Sequence, residues 1–135
     1  MMKILLTEDN KVSRQLALII FGQLGYQVDV ATDGEEAVQL WQKHHYDFIF
    51  MDIMMPGMNG YDAARMIRSY ESETGGHTNI IAVTAKKNKG EHEEALLAGM
   101  DDYLTKPITE RTIKEAINKW ETGAYPVIKN VAYYK

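Results

Sequence analysis

Five short apolar runs, each followed by a segment with helical spacing, constrain the fold of this chain more than any other feature. The runs lie at residues 3–7, 26–31, 46–51, 80–83 and 102–105; the second alternates apolar with polar residues, and Tyr103 and Leu104 are the apolar members of the short fifth run. The segments that follow them place apolar residues three and four positions apart, as amphipathic helices do. These predicted helices cover residues 11–25, 34–44, 60–70, 91–98 and 109–120. Strands that alternate with helices in this way favour a parallel sheet with helices on both faces.

The bulk properties of the chain exclude several classes of protein. A length of 135 residues suits one domain with a self-sufficient core. The absence of cysteine removes disulfides and thiolate metal sites, and a net charge of -4 gives no electrostatic footprint for nucleic acid. No apolar run approaches the ~20 residues that a membrane span needs. We therefore expect a single cytoplasmic domain that contacts neither nucleic acid nor membrane.

The third apolar run ends at a single acid. Residues 48–51 (FIFM) precede Asp52, and a turn marked by Pro56 and Gly57 follows. A short apolar run bounded by turn residues is typical of a strand that is buried on both faces. Open α/β sheets bind their ligands at the carboxyl ends of such strands. Taken alone, Asp52 fits a turn-forming residue and a reactive carboxylate equally well.

The ends of the other strands favour the reactive carboxylate. Polar side chains follow three of them: Glu8 and Asp9 after the first, Thr84 at the fourth and Lys106 after the fifth. Because the carboxyl ends of parallel strands meet at one edge of the sheet, we expect these side chains to converge on Asp52. Three carboxylates without a cation would repel one another, and hard oxygen ligands suit Mg²⁺. The pattern predicts a Mg²⁺ site beside Asp52.

This combination of groups matches the needs of phosphoryl transfer. That reaction depends on positioned charge neutralisation more than on covalent machinery. A carboxylate such as Asp52 can accept the phosphoryl group, while a cation and Lys106 neutralise its oxygens from two sides. Thr84 could donate one further hydrogen bond.

Five motifs in this order resemble those of response-regulator receiver domains, the phosphoacceptor modules of two-component signalling. They are residues 4–10 (ILLTEDN), 33–37 (DGEEA), 51–60 (MDIMMPGMNG), 81–85 (IAVTA) and 99–107 (GMDDYLTKP). The resemblance implies a doubly wound, flavodoxin-like (βα)5 fold whose five-stranded parallel sheet has the order 2-1-3-4-5. It also implies a receiver unit over residues 1–121, which leaves residues 122–135 as a poorly ordered tail or linker.

The resemblance implies a role for each acid. Asp52 would take a phosphoryl group from a phosphohistidine on a histidine kinase or a histidine phosphotransfer protein. Asp9, Asp52 and the backbone carbonyl of Met54 would bind Mg²⁺ directly, and Glu8 would bind it through water. Many receivers carry Asp at the position of Glu8. The longer acid resembles receivers fused to sensor kinases, which favours a hybrid kinase as the parent chain and leaves a stand-alone receiver as the alternative.

The remaining site residues would act on the phosphoryl group and relay its arrival. By resemblance, Lys106 pairs with Asp52 and then with a phosphoryl oxygen, and Thr84 moves to hydrogen-bond the phosphoryl group. The ring of Tyr103 follows Thr84 as the second switch residue. The Lys106–Pro107 bond resembles a cis peptide of the family, which is plausible because X-Pro bonds lose most of the trans preference. Self-phosphorylation and self-dephosphorylation would be the only reactions of this domain by itself.

Two surfaces are candidates for partners. The first helix would receive the histidine donor, with Leu18 and Ile19 or Phe21 as exposed apolar candidates, although all of them would also fit a core face. The face formed by the 91–98 helix, the fifth strand and the 109–120 helix would carry the conformational change and a homodimer contact.

Three other functions share parts of this pattern. A Mg²⁺-dependent phosphohydrolase with an Asp nucleophile usually has a second acid two residues later, where this chain has Met54. A flavodoxin-like redox protein needs a phosphate loop after the first strand, and Glu8 and Asp9 have the wrong charge for one. A degenerate receiver that only binds partners would lack some of the site residues, and all of them are present here.

Overall fold

The five apolar runs form one parallel sheet. The computed structural model describes residues 2–85 and 89–121, so the predicted tail at residues 122–135 lies outside the described residues. The strands are β1 (Ile4–Thr7), β2 (Val28–Ala31), β3 (Phe48–Asp52), β4 (Asn79–Thr84) and β5 (Asp102–Thr105). Their order is β2-β1-β3-β4-β5, which confirms the predicted fold class. Both β2 and β3 begin two residues later than predicted.

A helix follows each strand. The helices are α1 (Lys11–Gln23), α2 (Gly34–Lys43), α3 (Gly60–Thr74), α4 (Lys89–Leu97) and α5 (Glu110–Glu121). Four of them begin just after a capping side chain that accepts a hydrogen bond from the first turn: Asn10, Asp33, Asn59 and Thr109. Within the described ranges, no helix is both long and apolar enough to cross a membrane.

The central strand β3 is buried along its whole length. Neighbouring residues of a strand face opposite sides of the sheet. Phe48 and Phe50 accordingly pack with α1 and α5, whereas Ile49 and Met51 pack in the core beneath α2 and α3. The strand is therefore held from both sides. A shift of its last residue, Asp52, would disturb the packing on both faces of the sheet.

Helix α1 exposes several of its apolar residues. Val12, Leu16 and Ile19 are 66%, 57% and 58% exposed, so Ile19 takes the exposed one of the two orientations that the sequence left open. Ala17 and Phe21 face the sheet instead, and Phe21 packs on Phe50 with ring centroids 5.2 Å apart. Phe21 is fully buried and is excluded as a docking residue. Periodicity alone left the orientation open because α1 is apolar on more than one face.

Helix α3 continues four residues beyond its predicted end at Tyr70. The residues that follow Tyr70 are polar and rich in glycine, as in a loop, but Glu71 is buried and pairs with Arg68 at 2.6 Å. Arg68 also bonds Asp101 at 2.7 Å and the carbonyl of Thr78 at 2.8 Å. This network ties the end of α3 to the starts of β4 and β5, at the edge of the sheet opposite Asp52.

Gly60 fixes the close approach of α3 to β3. A Cβ atom at this position would lie 2.5 Å from the carbonyl oxygen of Asp52 and 2.9 Å from the Cα atom of Ile53. Any larger residue would push the start of α3 away from the end of β3. The absence of a side chain at Gly60 therefore helps to hold the turn that carries Met54.

Candidate phosphoacceptor and metal site

The fold brings the predicted polar side chains to one edge of the sheet. In the strand register, Thr7 lies beside Met51, Asp52 beside Val83 and Thr84 beside Thr105. Asp52 and Thr84 therefore lie at the carboxyl ends of their strands. Glu8 follows Thr7 and Lys106 follows Thr105, so all four converge at the ends of four parallel strands. This is the position in which open α/β sheets bind ligands.

Three carboxylates form a compact cluster in this crevice. Glu8, Asp9 and Asp52 each place one oxygen within 4.8 Å of the others. Glu8 and Asp52 are only 4% and 5% exposed, whereas Asp9 faces solvent. Two buried acids and one exposed acid create a site of concentrated negative charge.

Burial and the neighbouring acid raise the proton affinity of Asp52. The pKa of Asp52 is raised to about 7, chiefly by burial and then by the hydrogen bond and the negative charge of Glu8. The charge of Lys106 and the backbone N–H of Met54, which lies 3.3 Å from Oδ1 of Asp52, oppose this change. One lysine does not compensate three acids, so the cluster favours a further cation. Its oxygen-only donor set fits Mg²⁺.

Lys106 lies between the two buried acids. Its Nζ is 2.9 Å from Oε1 of Glu8 and 3.6 Å from Oδ2 of Asp52. Burial disfavours its charge, but the hydrogen bond to Glu8 and the charge of Asp52 outweigh burial and raise the pKa of Lys106. The backbone N–H of Lys106 donates to the carbonyl of Thr84 at 2.7 Å, and the Lys106–Pro107 bond is cis, as predicted. The ammonium group is thus held charged beside Asp52 and closest to Glu8.

The two predicted switch residues both contact α4. Thr84 is buried, and its hydroxyl donates to the carboxylate of Glu91. Tyr103 is half-buried, and its ring packs on His92 with centroids 4.1 Å apart. Sequence reasoning missed Glu91 and His92, because α4 has no apolar periodicity that would orient it.

Two supporting residues of the acidic turn were also missed. Oε2 of Glu8 accepts a hydrogen bond from the backbone N–H of Asn10 at 3.1 Å. Arg14 donates to the backbone carbonyls of Glu8 and Asp9 at 3.2 Å and 3.4 Å. Asn10 precedes a helical segment and could have been found as a cap, but nothing in the sequence marks Arg14.

Comparison with known proteins points to a single family. The family model for the response regulator receiver domain matches residues 4–118. Hybrid signal transduction histidine kinase I of Dictyostelium discoideum is 40% identical over 121 residues, which are 86% of this chain and 7% of that protein. Sensor protein GacS of Pseudomonas syringae is 36% identical over 119 residues, which are 87% of this chain and 13% of that protein. This chain therefore spans only a small part of these relatives.

Solved structures agree with the sequence relatives. The receiver domain of sensor histidine kinase PA1611 from Pseudomonas aeruginosa, with a magnesium ion in its active-site cleft, is 38% identical with a TM-score of 0.79, over 88% of this chain and 96% of that one. The co-crystal structure of Saccharomyces cerevisiae Ypd1 with the receiver domain of Ssk1 gives 29% identity and a TM-score of 0.85, over 90% of each chain. From its sequence, its strand order and these relatives, the chain belongs to the family of response regulator receiver domains.

Proposed function

We propose that Asp52 accepts a phosphoryl group from a phosphohistidine on a histidine kinase or a histidine phosphotransfer protein. One observation carries the proposal: the buried carboxylate of Asp52 lies within 4.8 Å of two other acids and 3.6 Å from Lys106. An aspartate that only forms a turn would not require two other acids and a lysine beside it. The second acid of an Asp-nucleophile phosphohydrolase is absent, because Met54 occupies its position.

Mg²⁺ would be held by Asp9, Asp52 and the backbone carbonyl of Met54, with Glu8 reaching it through water. The fit rests on the donor set, since three carboxylates share one lysine and Asp52 is driven toward protonation in its present surroundings. When bound, the cation neutralises the acids and the oxygens of the incoming phosphoryl group.

The side chains of this domain would then act in one displacement. A carboxylate oxygen of Asp52 attacks phosphorus, and an O–P bond forms as the P–N bond to the donor imidazole breaks. The bonding electron pair goes to the imidazole nitrogen, which leaves as a neutral ring because its other nitrogen carries the proton. The ammonium of Lys106 neutralises one phosphoryl oxygen, and the hydroxyl of Thr84 donates to another.

Removal of the cation tests this proposal. We expect a small phosphodonor such as phosphoramidate to phosphorylate the domain in the presence of MgCl₂. With EDTA in place of MgCl₂ the rate should fall about 100-fold, since a principal charge stabiliser is lost. Intact-mass spectrometry over time measures the rate, and circular dichroism verifies that EDTA leaves the domain folded. Equal rates with and without EDTA would refute a metal-assisted phosphoacceptor.

The exposed side of α1 is the proposed dock for the histidine donor. Val12, Leu16 and Ile19 are exposed, and Leu18 is partly buried against the core. An apolar groove of about 460 Å³ runs from α1 to Ile108. Glu8 and Lys106 also line the groove, so it reaches the phosphoacceptor site. Large apolar side chains beside the reacting group suit a protein partner rather than a small donor.

A charged substitution on this surface should slow phosphoryl transfer from a protein donor but not from a small-molecule donor. We expect Leu16→Glu to slow transfer from a phosphorylated histidine phosphotransfer protein by about tenfold, because a central apolar contact is lost. The rate with phosphoramidate should stay unchanged. Gln15→Glu adds the same charge to an exposed neighbour on α1 and serves as the matched control. The docking assignment fails if the two variants behave alike with a protein donor that phosphorylates the wild type.

Further assignments extend the proposed function beyond the site. We propose residues 1–121 as the receiver unit, within a chain of the hybrid kinase type rather than as a stand-alone receiver; residues 122–135, predicted as a tail or linker, lie outside the described residues. The homodimer contact through α4, β5 and α5 stays a prediction. Light scattering with and without beryllofluoride tests it, and a monomer in both conditions would exclude it.

A further inference from the structure

The first turn of α4 contacts both switch residues. The carboxylate of Glu91 accepts the hydrogen bond from Thr84, and the next residue, His92, packs on the ring of Tyr103. The hydroxyl of Tyr61 on α3 lies 3.5 Å from the backbone carbonyl of Glu91. Two consecutive residues of α4 therefore sit against the two side chains that are proposed to respond to phosphorylation.

The hydroxyl of Thr84 has a single proton to donate. A carboxylate accepts hydrogen bonds and donates none, so in the Thr84–Glu91 pair the proton of Thr84 is directed toward Glu91. Hydrogen bonds to an ionised acceptor are stronger than neutral ones, and Thr84 is only 1% exposed. The same proton cannot be donated to a phosphoryl oxygen on Asp52 at the same time.

We propose that Glu91 is a positioning residue that holds Thr84 in its resting orientation and competes with the phosphoryl group for its hydroxyl. The proposal rests on the function proposed above for Asp52 and Thr84. Breaking the Thr84–Glu91 bond is then part of the free-energy cost of the active conformation. Removal of the carboxylate lowers that cost and shifts the resting population toward the active conformation.

Loss of the hydrogen bond between Thr84 and Glu91 would also allow α4 to shift. Glu91 is half-buried, so loss of the hydrogen bond from Thr84 removes a contact that holds the first turn of α4 in place. A shift of this turn moves His92 at the same time, which changes the packing on Tyr103. The coupling between Thr84 and Tyr103 would thus run through two adjacent residues of one helical turn.

Binding of beryllofluoride, a phosphoryl analogue, tests the proposal in the presence of MgCl₂. We expect Glu91→Ala to bind it about tenfold more tightly than the wild type by isothermal titration calorimetry, because a charge-assisted hydrogen bond no longer competes. Glu91→Gln preserves the size of the side chain and leaves a weaker hydrogen-bond acceptor for Thr84. Its gain in affinity for beryllofluoride should therefore be roughly threefold. It also keeps the test valid if Glu91→Ala does not fold.

Two controls separate this effect from a general change of charge. Glu94→Ala removes an exposed acid from the same helix and should stay within about twofold of the wild type. In a Thr84→Ala background, Glu91→Ala should have no effect, because the hydroxyl for which it competes is gone.

Each outcome decides between the two proposals. An unchanged or weaker affinity of Glu91→Ala, or an equal gain in the Thr84→Ala background, overturns the role of Glu91 and leaves the phosphoacceptor intact. A wild-type domain that does not bind beryllofluoride at all overturns the phosphoacceptor function, and the role of Glu91 with it.

Discussion

Replacement of Asp52 by Asn should reduce phosphoryl incorporation by at least about 10³-fold, because the attacking oxygen is lost while the shape of the side chain is preserved. An amide oxygen carries no full charge and is a poor nucleophile toward phosphorus. The measurement is the phosphorylated fraction of intact protein after incubation with phosphoramidate and MgCl₂.

A surface acid provides the matched control for this variant. Asp62 lies on α3, is 53% exposed at its side chain and pairs only with Arg65 among the described interactions. Asp62→Asn should incorporate phosphoryl groups at the wild-type rate. The variant Asp52→Asn should also stay folded, since it removes a buried charge that faces Glu8. Substantial phosphorylation of folded Asp52→Asn would show that another residue is the acceptor.

The largest loss of stability is expected from Arg68→Ala. The side chain of Arg68 is 18% exposed, and it bonds Glu71, Asp101 and two backbone carbonyls, those of Thr78 and Gly99. Its removal takes the arginine away from two buried carboxylates, of which Asp101 keeps its contact with Nε2 of His77 at 2.7 Å. Breaking a buried pair in this way costs about 3–5 kcal/mol of unfolding free energy. Chemical denaturation measures the loss.

Arg65 on the same helix is the matched control for Arg68. It forms one ion pair with Asp62, and both side chains are more than half exposed. Arg65→Ala should therefore lose no more than about 1 kcal/mol. Similar losses for the two variants would show that the Arg68 network does not anchor α3 to β4 and β5.

The sequence predicted the sheet well, because its signals are local. A strand buried on both faces needs a continuous apolar run, and β3 has one that ends at Asp52. Parallel strands then bring their carboxyl ends to one edge of the sheet, so the sequence alone was enough to place Glu8, Thr84 and Lys106 near Asp52. What the strand ends do chemically stays a prediction until phosphorylation is measured.

The errors arose where tertiary contacts override local pattern. The apolar residues of α1 outnumber those that the core can cover, so spacing alone did not show that Leu16 lies outside and Phe21 inside. Glu71 belongs to a polar run that resembles a loop, and its buried helical position is acceptable because Arg68 and the backbone N–H of Thr78 both donate to its carboxylate. Glu91 was missed for the same reason, because its partner Thr84 lies on another element.

Mapping of the phosphoryl group is the most direct test of the central claim. Borohydride reduces an acyl phosphate to an alcohol and thereby converts a phosphorylated aspartate to homoserine. Trypsin should release residues 44–65 as one peptide, which contains Asp47, Asp52 and Asp62. After phosphorylation by a phosphohistidine donor with Mg²⁺, tandem mass spectrometry should find homoserine at position 52 alone. Homoserine at Asp47, Asp62 or another position, or none in a folded protein, would contradict the account.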